Sequence, residues 1–278
     1  MMVLDPRHAR SWLFTPADRP ERFPLRSRPV GAVPDAVILD LEDAVAPGSK
    51  DLARDNLLRC GTDLPEVWVR VNDRTGEHWR ADLDAAGRLP ALAGVVLPKA
   101  EHPEDIAATA ALLPAGTPVV ALVETSLGVE NAFAVAREPA VFALAFGVAD
   151  FRRETGLGDA PEAWAYPRTR LVIASRAAGL RGPLDGPAMQ LDDLEAVRAE
   201  AARGRAGGFT GKLCIHPAQI TPVNAGFDPD PEQLAWARRV LDRADSSEGA
   251  AVRVDGEMID RPRLDLARAL LAAQDTGS

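Results

Sequence analysis

Eight short apolar runs, most of them roughly 25–30 residues apart, constrain this chain more than any other feature, because that is the span of one strand-helix unit. They lie near residues 11–14, 36–41, 66–71, 93–97, 118–123, 141–146, 180–185 and 212–216. Runs this short, set between helical patterns, read as parallel strands buried on both faces. The seventh, Leu180 to Asp185, is the weakest of the set. Helical patterns start at Ser49 and cover Pro103 to Leu113, Leu127 to Ala136, Arg168 to Ala178 and Leu191 to Arg203, with Ser49 and Ser126 as candidate N-caps. No internal repeat is visible, so a solenoid is excluded. The chain has 278 residues, and one α/β barrel takes about 250. The predicted fold is therefore α/β, a TIM (β/α)8 barrel over residues 1–225.

Beyond the eighth run the texture changes. Phe227-Asp228-Pro229-Asp230-Pro231 reads as a linker entering a helix, with Asp230 as its N-cap and Pro231 at its first position. The stretch Ala251 to Asp260 carries an Asp255-Gly256 pair and predicts a short hairpin. A last helix begins near Pro262. This C-terminal helical and hairpin arm, residues 226–278, is amphipathic but too small for a sizeable core of its own. It is expected to dock on the barrel, on a neighbouring subunit, or on both.

A net charge of −9 argues against broad nucleic-acid binding. The longest apolar stretch, near Ala140 to Ala149, is half of what a membrane span of about 20 residues needs. The opening residues lack a secretory apolar segment, so a cytoplasmic location without membrane partners is the default expectation. Cys60 and Cys214 fit neither a disulfide framework nor a zinc site, and Cys214 reads as an inert core thiol. Gly-x-Ser-x-Gly, Walker A and His-Glu-x-x-His patterns are absent from the sequence.

Charged residues close several of the runs, and in an α/β barrel the carboxyl ends of the strands gather the active site. Glu124 and Asp150 are expected to close the fifth and sixth strands and to converge on one point. Two carboxylates that leave positions open for water and substrate suit Mg²⁺; the rival reading pairs each with a nearby Lys or Arg. Asp40, Glu42 and Asp43 form a second acidic cluster that repels itself unless something cationic organises it. Arg70, ending the third strand, either grips a substrate carboxylate or oxyanion, or forms a buried ion pair with Glu42 or Asp43, or does both. Lys99 adds positive charge at the mouth or is a surface lysine. His216 follows the eighth strand, near where barrels bind phosphate, or is a structural histidine. Asp260, just before Arg261-Pro262, reads from its position as a helix N-cap.

Taken in order, several segments identify a family resemblance. They are Ser11-Trp12-Leu13-Phe14-Thr15-Pro16 with Arg19-Pro20-Glu21-Arg22-Phe23, Ile38-Leu39-Asp40-Leu41-Glu42-Asp43, and Val69-Arg70-Val71-Asn72. Leu97-Pro98-Lys99, Val123-Glu124-Thr125 and Gly147-Val148-Ala149-Asp150 continue it, followed by Lys212-Leu213-Cys214-Ile215-His216-Pro217 and Asp255 to Asp260. The chain resembles the citrate lyase β-subunit, citramalyl-CoA lyase and malyl-CoA lyase group of the HpcH/HpaI aldolase superfamily. That resemblance implies a TIM barrel with Mg²⁺ on Glu124 and Asp150, and Arg70 on the oxo-acid or its hydroxyl. It implies substrate contacts around Arg19, Glu42, Asp43, Lys99 and His216. It also implies a catalytic Asp260 that enters a neighbouring subunit's site, in a homo-oligomer such as a trimer or hexamer. The implied reaction is cleavage of a 3-hydroxyacyl thioester, citryl-CoA-like, citramalyl-CoA or malyl-CoA, into an oxo-acid such as oxaloacetate and acetyl thioester, carried on CoA or on an acyl-carrier protein. Thioester hydrolysis or malate-synthase-like condensation on the same scaffold, and a non-catalytic oxo-acid-binding subunit of a larger complex, are the rivals. Ala17 stands where the family carries glycine, in the loop that helps hold the CoA portion.

Overall fold

A computed structural model of the protein describes residues 5–24, 33–245 and 252–275. It divides into two compact units, Met1–Gly226 and Phe227–Ser278. The first is a closed barrel of eight parallel strands in sequence order. The strands are β1 (Ser11–Pro16), β2 (Ala36–Asp40), β3 (Val67–Arg70), β4 (Leu92–Leu97), β5 (Val119–Val123), β6 (Val141–Phe146), β7 (Leu184–Asp185) and β8 (Gly211–Cys214). All eight expected runs are therefore staves of one TIM barrel. Between them run α1 (Lys50–Cys60), α2 (Trp79–Gly87), α3 (Pro103–Ala110), α4 (Ser126–Ala136), α5 (Val148–Thr155), α6 (Ala165–Ala177) and α7 (Leu194–Ala206). A further helix, α8 (Ile220–Phe227), follows β8. No described helix is long and apolar enough to cross a membrane.

Strand runs such as Val119–Val123 and Ala36–Asp40 are buried along their whole length, as a sheet covered on both faces requires. The barrel interior is filled by Trp12, Ile38, Trp68, Val120, Leu184 and Leu213, among others. Trp68 stands between Trp12 and Phe142, with ring centroids 5.1 and 5.2 Å away. Gly94 makes room for this ring: a Cβ there would sit 2.7 Å from Trp68 Cε3 and 2.6 Å from the Pro118 carbonyl. The bulk of three large rings thus demands a residue without a side chain on the neighbouring stave.

Stave β7 is only two residues long. It pairs with β6 through Ala145↔Leu184 alone, and with β8 through Leu184↔Gly211 and Asp185↔Lys212. Buried charge reinforces this seam. Asp185 accepts from Arg168 at 2.7 and 2.9 Å, and Lys212 Nζ lies 3.3 Å from Asp185 and 2.7 Å from Glu200. Cys214 is fully buried and its thiol is pushed up to about 12 by that burial, in keeping with an inert core residue.

Two N-cap expectations divide. Ser49 precedes α1 but its hydroxyl makes no capping bond. At α4 the cap is Thr125, whose hydroxyl accepts from the Gly128 amide at 3.1 Å, and Ser126 is the first helical residue. The β-region backbone of Thr125 is what a capping side chain needs.

In the second unit, α9 (Pro231–Asp245) is capped by Asp230, which accepts from Glu232 N at 2.8 Å. Strands β9 (Val252–Val254) and β10 (Glu257–Ile259) pair antiparallel across Asp255 and Gly256. Both turn residues have positive φ, 50° and 89°, the geometry of a type I′ hairpin turn. Helix α10 (Arg261–Asp275) closes the unit over Ala237, Val240, Val254, Ile259 and Ala267.

Candidate active site

A cavity of about 320 Å³ opens at the carboxyl ends of the staves. Asp40, Asp43, Arg70, Glu124 and Asp150 all line it. Strand register builds one wall. Asp40 ends β2 directly opposite Arg70 at the end of β3, so the two side chains meet across the sheet. Arg70 donates from Nε at 2.7 Å and Nη2 at 2.5 Å to the two oxygens of Asp40. Its third nitrogen, Nη1, is 2.8 Å from Glu42 Oε2, an ion pair not aligned as a hydrogen bond. Phe14 lies 4.3 Å under the guanidinium, adding a cation–π contact. Burial works against this charge, but Asp40 and Glu42 together raise the pKa of Arg70. The ion pair foreseen with Glu42 or Asp43 is thus led by Asp40, the residue whose neighbour in the register is Arg70.

Glu124 follows β5 at once. Its Oε1 accepts from the Lys99 backbone N–H at 2.9 Å. Gly147 faces it: a Cβ on Gly147 would overlap the Cβ and carboxylate of Glu124. Burial, then repulsion from Glu42 and Asp150, raises Glu124 to about 8. Burial likewise raises Glu42 to about 7, against the pull of Arg70. Asp150 does not close β6. That strand stops at Phe146, Gly147 turns the chain, and Asp150 sits in the first turn of α5. There the residue still lines the cavity, while its carboxylate pairs with the exposed Arg153 at 2.7 Å, as the rival reading has it.

The remaining expected residues fall elsewhere. Lys99 turns its side chain to Asp73, 3.3 Å away, and contributes its backbone to the site from a left-handed conformation with φ 48°. His216 is exposed and caps the turn Pro217–Gln219, its Nδ1 accepting from Ala218 N at 3.2 Å. Arg19 is exposed and lies 4.0 Å from Asp18. Asp260, in the second unit, caps α10 by accepting from Arg263 N at 3.2 Å. Ala17 is buried, outside the left-handed region, with its carbonyl held by Asn56 at 3.0 Å. The alanine therefore fits there without backbone strain.

No cluster of three or more ligating side chains exists among the described residues. Two carboxylates facing one cavity nevertheless fit Mg²⁺, which is commonly held by one or two carboxylates and completes its octahedron with waters and substrate oxygens. The mutual repulsion that raises Glu124 is what a divalent cation would relieve.

Residues 10–217 match the HpcH/HpaI aldolase/citrate lyase family. The chain belongs to that family. Along its whole length it is similar to a citrate lyase subunit beta-like protein of Deinococcus radiodurans, 35% identical over 98% of this chain and 99% of that one. It is also similar to a (3S)-malyl-CoA thioesterase of Cereibacter sphaeroides, 36% identical over 95% and 93% of the two chains. Among solved structures, protein CitE from Mycobacterium tuberculosis, in complex with magnesium, acetoacetate and coenzyme A, superposes with a TM-score of 0.83. It shares 34% identity and covers 97% of this chain and 99% of its own. The matched family is one of aldolases and citrate lyases, so the barrel here is that of a lyase family.

Proposed function

We propose that the protein is a Mg²⁺-dependent carbon–carbon lyase that cleaves a 3-hydroxyacyl thioester into a 2-oxo acid and an acetyl thioester. One observation carries this reading: Glu124, Asp150 and the buried Arg70 open onto the same cavity at the mouth of the barrel. Glu124 and Asp150 would hold the ion, which when bound supplies Lewis-acid polarisation of substrate oxygens. Arg70, fixed by Asp40, presents a guanidinium that cannot lose its proton and so stabilises the alkoxide developing on the substrate hydroxyl. The hydroxyl proton passes to water at the open mouth, and as the carbon–carbon bond breaks that oxygen becomes the carbonyl of the oxo acid and the electron pair passes to the acetyl thioester as its enolate. Asp260, supplied by the C-terminal arm of a second copy in a homo-oligomer, returns a proton to the enolate carbon, and removes it in the condensation direction. The thioester rides on CoA or on a carrier protein.

The test is turnover of citryl-CoA, malyl-CoA and citramalyl-CoA with Mg²⁺ and loss of it on Glu124→Ala. Folded protein that cleaves none of the three removes the lyase reading. Hydrolysis of the thioester is the second reading, favoured by the similarity to the malyl-CoA thioesterase of Cereibacter sphaeroides. Release of free CoA without an oxo acid identifies it.

A further inference from the structure

Gln219 is buried, and its carboxamide makes all of its bonds between two loops. Oε1 accepts from the backbone N–H of Ile215 at 2.9 Å and of His216 at 3.3 Å. Nε2 donates to the carbonyls of Ala188 at 2.7 Å and Gln190 at 3.3 Å. A carboxamide offers two donors and an acceptor with two lone pairs, so the group is fully used. The strand register explains why a side chain is needed there. β7 and β8 pair directly only as far as Asp185↔Lys212. Past that point no regular structure runs from Gly186 to Asp193, and Lys212 Nζ holds the Gly186 carbonyl at 2.6 Å. Among the described hydrogen bonds, the next hold on this stretch is Gln219. From Ile215 N–H to Oε1, across the amide, and from Nε2–H to the Ala188 carbonyl, the bonds follow the path of a ladder with one peptide-like unit set between the strands. The side chain thus continues the β7–β8 seam where the backbones part. Both loops reach the cavity, Pro187 and Met189 from one and Ile215 from the other, while Gln219 lies outside that lining.

We infer that Gln219 is a positioning residue for the site: it locks the loops after β7 and β8 into one unit, so that Pro187, Met189 and Ile215 meet the bound thioester together. The part played toward substrate rests on the lyase reading above; the tie between the loops does not. Two substitutions of similar size separate the bridge from the filling of space. Gln219→Met fills the volume without the hydrogen bonds. At a temperature where circular dichroism shows it folded, it is expected to raise KM for the thioester that the unaltered protein cleaves by about 10-fold, with kcat changed less than about 3-fold. Gln219→Glu carries its own switch. Ionised, it still accepts from Ile215 and His216 but turns an oxygen on the Ala188 and Gln190 carbonyls. Protonated, the form that burial favours, it regains a donor and closes the bridge to Ala188. Its KM, as a ratio to that of the unaltered protein at the same pH, is expected to be about 10-fold up at about pH 8 and to return to within about 3-fold at about pH 6. The ratio for Gln219→Met is expected to stay raised at both. Hydrogen exchange reads the tie without turnover: the Ile215 and His216 amides are expected to exchange at least about 10-fold faster in Gln219→Met, and in Gln219→Glu at about pH 8, with those of β5 unchanged. A folded Gln219→Met protein with unaltered KM, a loss carried by kcat alone, or a Gln219→Glu ratio that does not move with pH overturns the positioning role. Should Gln219→Met not fold, the pH response of Gln219→Glu decides. Unchanged exchange at Ile215 and His216 overturns the tie. An unaltered protein that cleaves none of citryl-CoA, malyl-CoA and citramalyl-CoA overturns the lyase reading and the part played toward substrate, and exchange then decides the tie alone.

Discussion

Asp40 and Glu42 are two residues apart, equally hidden, and predicted to respond in opposite directions when neutralised. Asp40 is fully buried, and its carboxylate accepts four bonds, from Arg70 Nε at 2.7 Å, Arg70 Nη2 at 2.5 Å, Glu42 N at 2.9 Å and Ala44 N at 3.2 Å. Asn at this position offers one acceptor oxygen, and its amide group would face donors. Bonds to charged groups contribute about 1.5–3 kcal/mol each, and breaking a buried pair costs about 3–5 kcal/mol. Arg70 keeps Glu42 at 2.8 Å, which points to the lower end. Asp40→Asn is expected to cost about 3 kcal/mol and, in a domain of this size, to lower Tm by about 6–12 °C. Glu42 is governed by desolvation instead. Its folded pKa of about 7 lies above the ordinary 4.5, so the stability it contributes is whole below the lower value and lost as pH rises through the upper one. Glu42→Gln removes that penalty and is expected to stabilise metal-free protein at pH 8 by on the order of 2 kcal/mol. Thermal unfolding of both variants, followed by circular dichroism without divalent ions, decides the matter. An Asp40→Asn loss below about 1 kcal/mol, or a Glu42→Gln loss as large as that of Asp40→Asn, would refute the reasoning.

Three further expectations concern the same barrel. Glu124 is raised to about 8 by burial and by Glu42 and Asp150, so metal-free protein should lose stability between about pH 5 and pH 8, and Glu124→Gln should flatten urea midpoints over that window. Gly147→Ala forces the Glu124 carboxylate aside and should weaken Mg²⁺ binding, read by calorimetry, by about 10–100-fold with the fold intact. Lys212→Met takes one partner from the fully buried Asp185, while the half-exposed Glu200 can turn to water, and should cost about 3 kcal/mol in chemical denaturation, Arg168 keeping the loss from growing larger.

The staves were legible because parallel strands buried on both faces leave uninterrupted apolar runs, and charges that end such runs have few places to go but the mouth. Register was not legible. That Asp40 meets Arg70, and Asp185 meets Lys212, depends on which residues fall opposite one another across the sheet, and no local pattern carries that. Short helices escaped for a related reason. In α5 the residues Val148 and Ala149 extend an apolar run that reads as strand, and Gly147, which breaks it, is the only local signal. Lys99 shows the limit of reading residue types. Its charged side chain drew attention, yet its amide, presented from a left-handed backbone, is what touches Glu124.

The two-residue stave β7 gives this barrel a hoop with one weak joint. Where neighbouring staves are stitched by as many as five register pairs, as β5 is to β6, this joint has a single backbone partner on one side and relies on Asp185, Lys212 and Arg168. Burial opposes the ionised Asp185, but Lys212 and Arg168 outweigh it and hold its pKa down, so the clasp is lost as acid protonates it. Amides around residues 184–186 should accordingly exchange with solvent before those of β4 and β5 as pH falls. The segment bearing Pro187 and Met189, which lines the cavity, leaves from this joint, so one side of the mouth hangs on a clasp of charge where its neighbours hang on backbone.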